Sequence, residues 1–359
     1  MKITNVSSSL HSLKLSEPYT VAYESFDLCE IVFTEITTDQ GATGRGCAAP
    51  DIHVTGESAS AVLQSMNRIT EPSLRGRDVF EYGQIMENLK QQLPDEPATR
   101  SMVDMALHDL IAQKAGVPLY KLLGGYRKSI PTSITIGIQP LESTLSMALS
   151  YTKQGFRILK IKGGLDVQDD IERINKVREV IGKRISIRFD ANQGYSLQDS
   201  LNFIKGVRKA DIELLEQPVK KNDIDFLRTL THTTDMPVMA DESLLSLNDA
   251  FLLSKDRSTD LINIKLMKTG GILEAMHINS VARAAGIGVM VGCMDESALG
   301  IAAGLHFALS RPNILYADLD GHLDILEDPF HGMLSIVEGN LIPPETSGLG
   351  WLGMKNINI

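Results

Sequence analysis

Asp190, Glu216 and Asp241 follow one another at intervals of 26 and 25 residues. Each stands at the end of a short apolar run: SIRFDAN, IELLEQP and PVMADES. If those runs are neighbouring strands of one parallel sheet, the three carboxylates converge on a single point. Buried carboxylates are costly unless paired or bound to a metal, and an all-oxygen set suits Mg2+. Two lysines stand in comparable places. Lys162 ends ILKIKG and Lys265 ends LINIKL, four runs apart and so opposite each other in a ring of eight. Amines facing each other across a bound carboxylic acid could remove a proton from one face of a carbon and return it to the other. Lys160 lies two residues before Lys162, and strand periodicity aims both the same way. A cationic neighbour and partial burial are expected to favour the neutral amine of Lys162. Asp318 and Asp320 share a face at the end of ILYADLD and, with no evident local cation, should attract an ammonium. Asn192, on the face of Asp190, is placed to reach a ligand.

Eight strand-like runs must position these groups: TSITIGI, ILKIKG, SIRFDAN, IELLEQP, PVMADES, LINIKL, GVMVGCM and ILYADLD. Marker residues near their ends (Thr135, Lys162, Asp190, Glu216, Asp241, Lys265, Cys293 and Asp318) are spaced 24 to 28 residues apart. A strand–helix unit of a parallel barrel takes about 30 residues, and eight units close the ring. An open dinucleotide-binding sheet fits less well, because Gly286, Gly288 and Gly292 give GxGxxxG, off by one and late in the chain. Before residue 125 the texture differs. VAYESFDLCEIVFTEITT, closed by Asp39-Gln40-Gly41, reads as strand, and three helical segments follow, the last ending at Gly116.

The 359 residues carry 35 Lys and Arg against 45 Asp and Glu, a net charge of −10 that gives no footing for nucleic acid. Cys29, Cys47 and Cys293 have no CxxC spacing, which points to a reducing compartment. No apolar run reaches the roughly 18 residues of a membrane span, and the start MKITNVSSSLHSLKLSEPYT lacks the apolar stretch of a secretory signal. A cytoplasmic protein without membrane partners is expected.

Lys160-Ile161-Lys162, Asp190-Ala191-Asn192, Glu216-Gln217-Pro218, Asp241-Glu242 and Lys265-Leu266-Met267-Lys268-Thr269-Gly270-Gly271 together resemble the enolase superfamily, and more narrowly its muconate-lactonising subgroup. The similarity spans essentially the whole chain, including VDMALHDLIAQKAGVPLYKLLGG. It implies an α/β fold, a modified TIM barrel of the (β/α)7β type with an α+β capping domain. Residues 1–125 would form the cap, 126–320 the barrel, and 321–359 a segment returning to the cap. It also implies Mg2+ on Asp190, Glu216 and Asp241, with Lys162 and Lys265 as the acid/base pair. Asp318-Leu319-Asp320 is similar to the aspartate pair with which the subgroup's dipeptide epimerases bind a substrate α-ammonium. By the same resemblance Thr135, Lys160, Cys293 and Asp295 fall at dipeptide-contacting positions, and residues 15–44 contribute a specificity loop containing Glu24. That loop holds no Lys, Arg or His, which argues against a Glu side chain on the substrate. The expected activity is inversion at Cα of the second residue of an Ala-Xaa dipeptide with small or hydrophobic uncharged Xaa, through an enediolate. A homo-oligomer is expected by resemblance. Muconate cycloisomerase or o-succinylbenzoate synthase chemistry, or a catalytically silent binding barrel, are the alternatives.

Overall fold

The structure, a computed structural model, describes residues 1–20 and 25–351. Eight short strands form its centre: β5 (Ile134–Ile136), β6 (Ile158–Lys162), β7 (Ser186–Asp190), β8 (Leu214–Glu216), β9 (Val238–Ala240), β10 (Leu261–Lys265), β11 (Gly288–Gly292) and β12 (Ile314–Asp318). All neighbours pair in parallel, in chain order. A parallel bridge between Thr132 and Ala317 joins the first strand region to the last and closes the ring. Seven connections carry helices and none follows β12 before the polypeptide leaves the ring, so the barrel is (β/α)7β. The strands are largely buried on both faces because helices cover the outside and side chains fill the inside. In β6, β10 and β11 every residue is buried.

The expected strand positions hold with small offsets. Thr135 is central in β5, while Asp241 and Cys293 stand one residue beyond β9 and β11. Pairing sets the site's height: Lys162 is in register with Asp190, Asp190 with Glu216, and Lys265 with Gly292.

At the N-terminal end an antiparallel sheet is built from β1 (Ile3–Thr20), β2 (Ser25–Thr38) and β3 (Thr43–Ala48). The polar composition of β1 hid it from the sequence reading. Among the described residues its buried anchors are Ile3, Val6, Leu13 and Leu15, interrupted by register shifts. On this sheet lies the helix Pro97–Ala115, ended by Gly116 at φ 70°. Met102, Met105, Ala106 and Leu110 share one face of that helix, yet Ala98 to Leu110 are buried on every side. It is clamped between the sheet and the barrel. Glycines permit the close approach on one side, since a Cβ on Gly46 would stand 2.0 Å from the Met102 carbonyl oxygen. On the other side Asp104 accepts backbone N–H groups of Ile272 and Leu273. Beyond β12, Asp324 and Leu326 exchange backbone hydrogen bonds with Ser16 and Lys14. Further on, β13 (Ser335–Val337) pairs with β14 (Asn340–Ile342), which pairs in turn with β4 (Ile130–Pro131). No helix among the described residues is long and apolar enough to cross a membrane.

Candidate active site

Asp190, Glu216 and Asp241 meet at the carboxyl ends of adjacent strands, with one oxygen of each lying within 4.8 Å of the others. All three residues are fully buried. Their supports fix the carboxylates in place. Asn192 donates its backbone N–H to Asp190 Oδ1 at 2.9 Å, and Asn263 donates from Nδ2 to Glu216 Oε1 at 2.7 Å. Lys268 donates to Asp241 Oδ1, to the Asp241 carbonyl at 2.6 Å and to the Asn263 carbonyl at 3.2 Å. Lys268 is therefore a buried strut, not a solvated charge, and burial pulls its ammonium below the usual range.

The cluster fits a hard divalent cation. Glu216 Oε2 and Asp241 Oδ2 have no hydrogen-bond donor among the described residues, although lysine ammoniums approach them at 2.8 Å in ion-pair contact. Lys160 makes the demand for positive charge visible, because its ammonium lies 3.1 Å from Asp190 and 2.8 Å from Glu216. Electrostatics agree. Burial raises the Glu216 carboxyl to about 7, and the Asp190 charge adds to the rise. For Asp190 and Asp241 burial pushes the same way but is outweighed. Lys162 and Lys160 hold Asp190 low, and Lys265 and Lys268 hold Asp241 low.

Lys162 and Lys265 occupy β6 and β10, four strands apart around the ring. Each amine reaches a carboxylate of the same cluster, Lys162 to Asp190 at 2.7 Å and Lys265 to Asp241 at 2.8 Å. Asp318 corrects one expectation, since it does have a local cation. Lys160 donates to its Oδ2 at 2.7 Å, while Ser133 donates to Oδ1 at 2.6 Å. Against burial, Lys160 and Ser133 hold the Asp318 carboxyl at about 2. Asp320 accepts only the Thr135 backbone N–H among the described residues, and burial followed by the Asp318 charge raises its carboxyl to about 7.

A cavity of about 360 Å³ opens above the cluster. Its lining includes Thr135, Lys160, Lys162, Asn192, Lys265, Cys293, Asp295, Asp318 and Asp320. The Cys293 thiol is held protonated, first by burial and then by the charges of Asp320 and Asp318. Glu24 lies outside the described residues. Sequence reasoning missed the cap's share of this wall: Glu30 from β2 and Asp51 from the loop after β3, together with Glu242 beside the cluster and Asp324 after β12. Nothing in their spacing announces them, because they come from separate elements, Glu30 from a cap strand and the others from loops. Glu242 alone had a local clue, its place directly after Asp241 at a strand end.

Known proteins were compared with the chain. Residues 4–124 match the family described as mandelate racemase / muconate lactonizing enzyme, N-terminal domain, and residues 144–352 match "Enolase C-terminal domain-like". The solved structure of a substrate-liganded L-Ala-D/L-Glu epimerase from Bacillus subtilis is 39% identical with a TM-score of 0.96, covering 98% of this chain and 99% of that one. A Methylococcus capsulatus dipeptide epimerase complexed with Mg and L-Arg-D-Lys is 40% identical with a TM-score of 0.94, at the same coverages. The hydrophobic dipeptide epimerase of Enterococcus faecalis is 38% identical over 98% of this chain and 99% of its own length. With both halves matched and the fold shared over nearly its full length, the chain belongs to the mandelate racemase / muconate lactonizing enzyme branch of the enolase superfamily.

Proposed function

We propose that the protein is a Mg2+-dependent dipeptide epimerase that inverts Cα of the second residue by two-base proton transfer. The observation that carries this reading is the pair Lys162 and Lys265, on strands half a ring apart, each touching the same carboxylate cluster. Asp190, Glu216 and Asp241 would hold the ion. Bound there, Mg2+ supplies a Lewis acid that stabilises negative charge developing on the substrate carboxylate. One lysine takes the α-proton and the opposite one delivers a proton to the other face, so either epimer serves as substrate. Asp318 and Asp320 receive the α-ammonium, with Ser133, Lys160 and the Thr135 N–H fixing their orientation. Holding that end and the carboxylate end places the stereocentre between the amines, where orientation lowers the barrier.

An Ala-Xaa substrate with an uncharged second residue is the expectation from the basic-free loop. That loop disfavours acidic side chains but does not choose between neutral and cationic ones. The relatives divide in the same way, the similar enzymes being named for Ala-Glu, for Lys-Arg and for hydrophobic dipeptides at 38 to 40% identity. The test is incubation of dipeptide mixtures in 2H2O with and without Mg2+. Mg2+-dependent entry of one deuterium at Cα of the second residue, together with appearance of its epimer, is expected. Absence of exchange across the mixture would reject the function.

A further inference from the structure

The two lysines of the site are carried on unequal supports. Lys265 runs directly into helix Leu266–Thr269, and the Thr269 hydroxyl donates back to the Lys265 carbonyl at 3.2 Å. Lys162 runs instead into Gly163 and Gly164, the second at φ 103°. Consecutive glycines fix little by themselves, because each lacks the Cβ that restricts a backbone. The ion-pair partner of the Lys162 amine is Asp190, a carboxylate of the cluster. An ion held there would share that carboxylate, and the placing of the amine then depends on the backbone that carries it.

A second buried cluster, behind the site, fixes that backbone. Asp170, in the first turn of helix Val167–Ile181, is 2% exposed. Its Oδ2 accepts the Gly164 N–H at 2.8 Å and the Tyr195 hydroxyl at 2.6 Å, while its Oδ1 accepts from Arg173 Nη1 at 2.6 Å. Tyr195 belongs to the loop after β7, where its N–H donates to the Pro218 carbonyl at 2.9 Å and its ring stacks on Phe189. One carboxylate thus ties the loop after Lys162 to the loop after Asp190. The loops meet backbone to backbone. A Cβ on Gly164 would stand 2.1 Å from the Ala191 carbonyl oxygen, and one on Gly194 2.1 Å from the Gly164 carbonyl oxygen. Contact this close passes a displacement on and does not absorb it. Neither Asp170 nor Tyr195 is among the described residues that line the cavity.

We propose that Asp170 and Tyr195 are positioning residues for Lys162: together they clamp the Gly163-Gly164 backbone onto the loop after β7 and so set the amine on its side of the stereocentre. This deepens the epimerase reading and rests on it. The effect is one-sided. Proton transfer tolerates little misplacement, about 1 Å costing roughly 100-fold, and only one of the two amines hangs on this clamp. Lys265 keeps its helix, and Asp190 keeps the Asn192 N–H and its pairing with Glu216.

The experiment follows loss of the α-proton signal of each epimer separately, by 1H NMR in 2H2O at saturating Mg2+, on a dipeptide that the wild type turns over. Lys162→Ala and Lys265→Ala first identify which epimer each amine deprotonates. Tyr195→Phe removes one hydrogen bond with almost no change of shape. It should slow exchange of the epimer facing Lys162 by about 10-fold and leave the other within about 2-fold. Asp170→Ala should slow the first by about 100-fold, and Asp170→Asn, which keeps an acceptor for the Gly164 N–H, should fall between. Net inversion should drop equally in both directions, since each direction uses both amines. Mg2+ should still raise the melting temperature of Tyr195→Phe. Equal slowing of both epimers in Tyr195→Phe, or no slowing of either, would overturn the inference and leave the epimerase intact. So would loss of the Mg2+ shift, which would mean that the clamp serves Asp190. If Asp170→Ala does not fold, Tyr195→Phe decides alone. A wild type that exchanges no dipeptide would sink the function and this inference with it.

Discussion

The floor and the rim of the cavity are built on different principles. On the floor, Asp190, Glu216, Asp241 and Asp318 sit at or next to the ends of hydrogen-bonded strands, and each is met by a lysine at 2.7 to 3.1 Å. Such neighbours lock one another, which is what a site must do to hold an ion and a stereocentre in fixed relation. The rim is drawn from separate elements: Glu30 from cap strand β2, Asp51 from the loop after β3, Asp295 after β11 and Asp324 after β12. On the proposed reading the chemistry rests on the barrel's hydrogen-bond register, and the rim, being built on other elements, can change without disturbing it.

Breaking the floor should produce the largest effects. Lys265→Ala is expected to lower kcat for epimerisation by about 10³- to 10⁴-fold, near the upper limit for removing a positioned base. The remaining amine should still exchange the α-proton of the one epimer that faces it, seen by 1H NMR in 2H2O. Equal exchange of both epimers would show that the two lysines are not on opposite faces. Asp241→Ala comes next. It removes a cluster oxygen and strands the ammoniums of Lys265 and Lys268 in a buried site. Breaking a buried pair in this way costs about 3–5 kcal/mol. Urea denaturation should show that loss, and Mg2+ should no longer raise the melting temperature, as it does when a ligand binds only the native state.

The floor was legible in the sequence for the reason that makes it rigid. Strand ends recur at the period of the strand–helix unit, so Asp190, Glu216, Asp241, Lys162 and Lys265 could be placed by counting. The rim left no such trace, because no period links Glu30, Asp51 and Asp324. Two floor details also escaped. Spacing could show that Asp318 faces inward but not that Lys160 reaches past β5 to meet it at 2.7 Å. Nor could it show Lys268 turning back beneath Asp241, since helix Leu266–Thr269 interrupts the pattern directly after β10. In the cap, β1 was hidden by polar residues whose partners lie on β2, information that lies in pairing and not in composition.

The junction between cap and barrel offers a smaller perturbation. Gly46→Ala would drive a methyl group into the Met102 carbonyl, so β3 and helix Pro97–Ala115 must separate. A loss of about 1–3 kcal/mol is expected, the usual cost of overpacking. The consequence for the site should be larger for the rim, where Asp51 follows β3 directly, than for the floor. KM should rise more than kcat falls. Equal changes in both would mean that the cap also positions the inner ring.

Smallest is a pH effect that leaves both regions in place. His306 is buried and neutral, its Nδ1 accepting the Tyr120 backbone N–H at 3.0 Å, and burial lowers its pKa to about 4. His322 is lowered to about 4 for the same reason. A base whose folded pKa lies below its unfolded value of about 6.5 takes up more protons when unfolded. Its stabilising contribution is therefore complete above pH 6.5 and declines as pH falls towards 4. The buried carboxyls of Glu296 and Asp295, raised to about 8 and about 6, titrate with the opposite sign, so the total curve hides the histidine part. The difference between wild type and His306→Gln isolates it. Between pH 7.5 and 5.5 the wild type should lose about 1 kcal/mol relative to the variant, measured by urea denaturation at each pH. A constant difference across that range would mean that folding leaves the His306 pKa unchanged, and a difference of opposite slope that His306 carries its proton in the folded protein; either result would show that the acceptor role of Nδ1 is wrong.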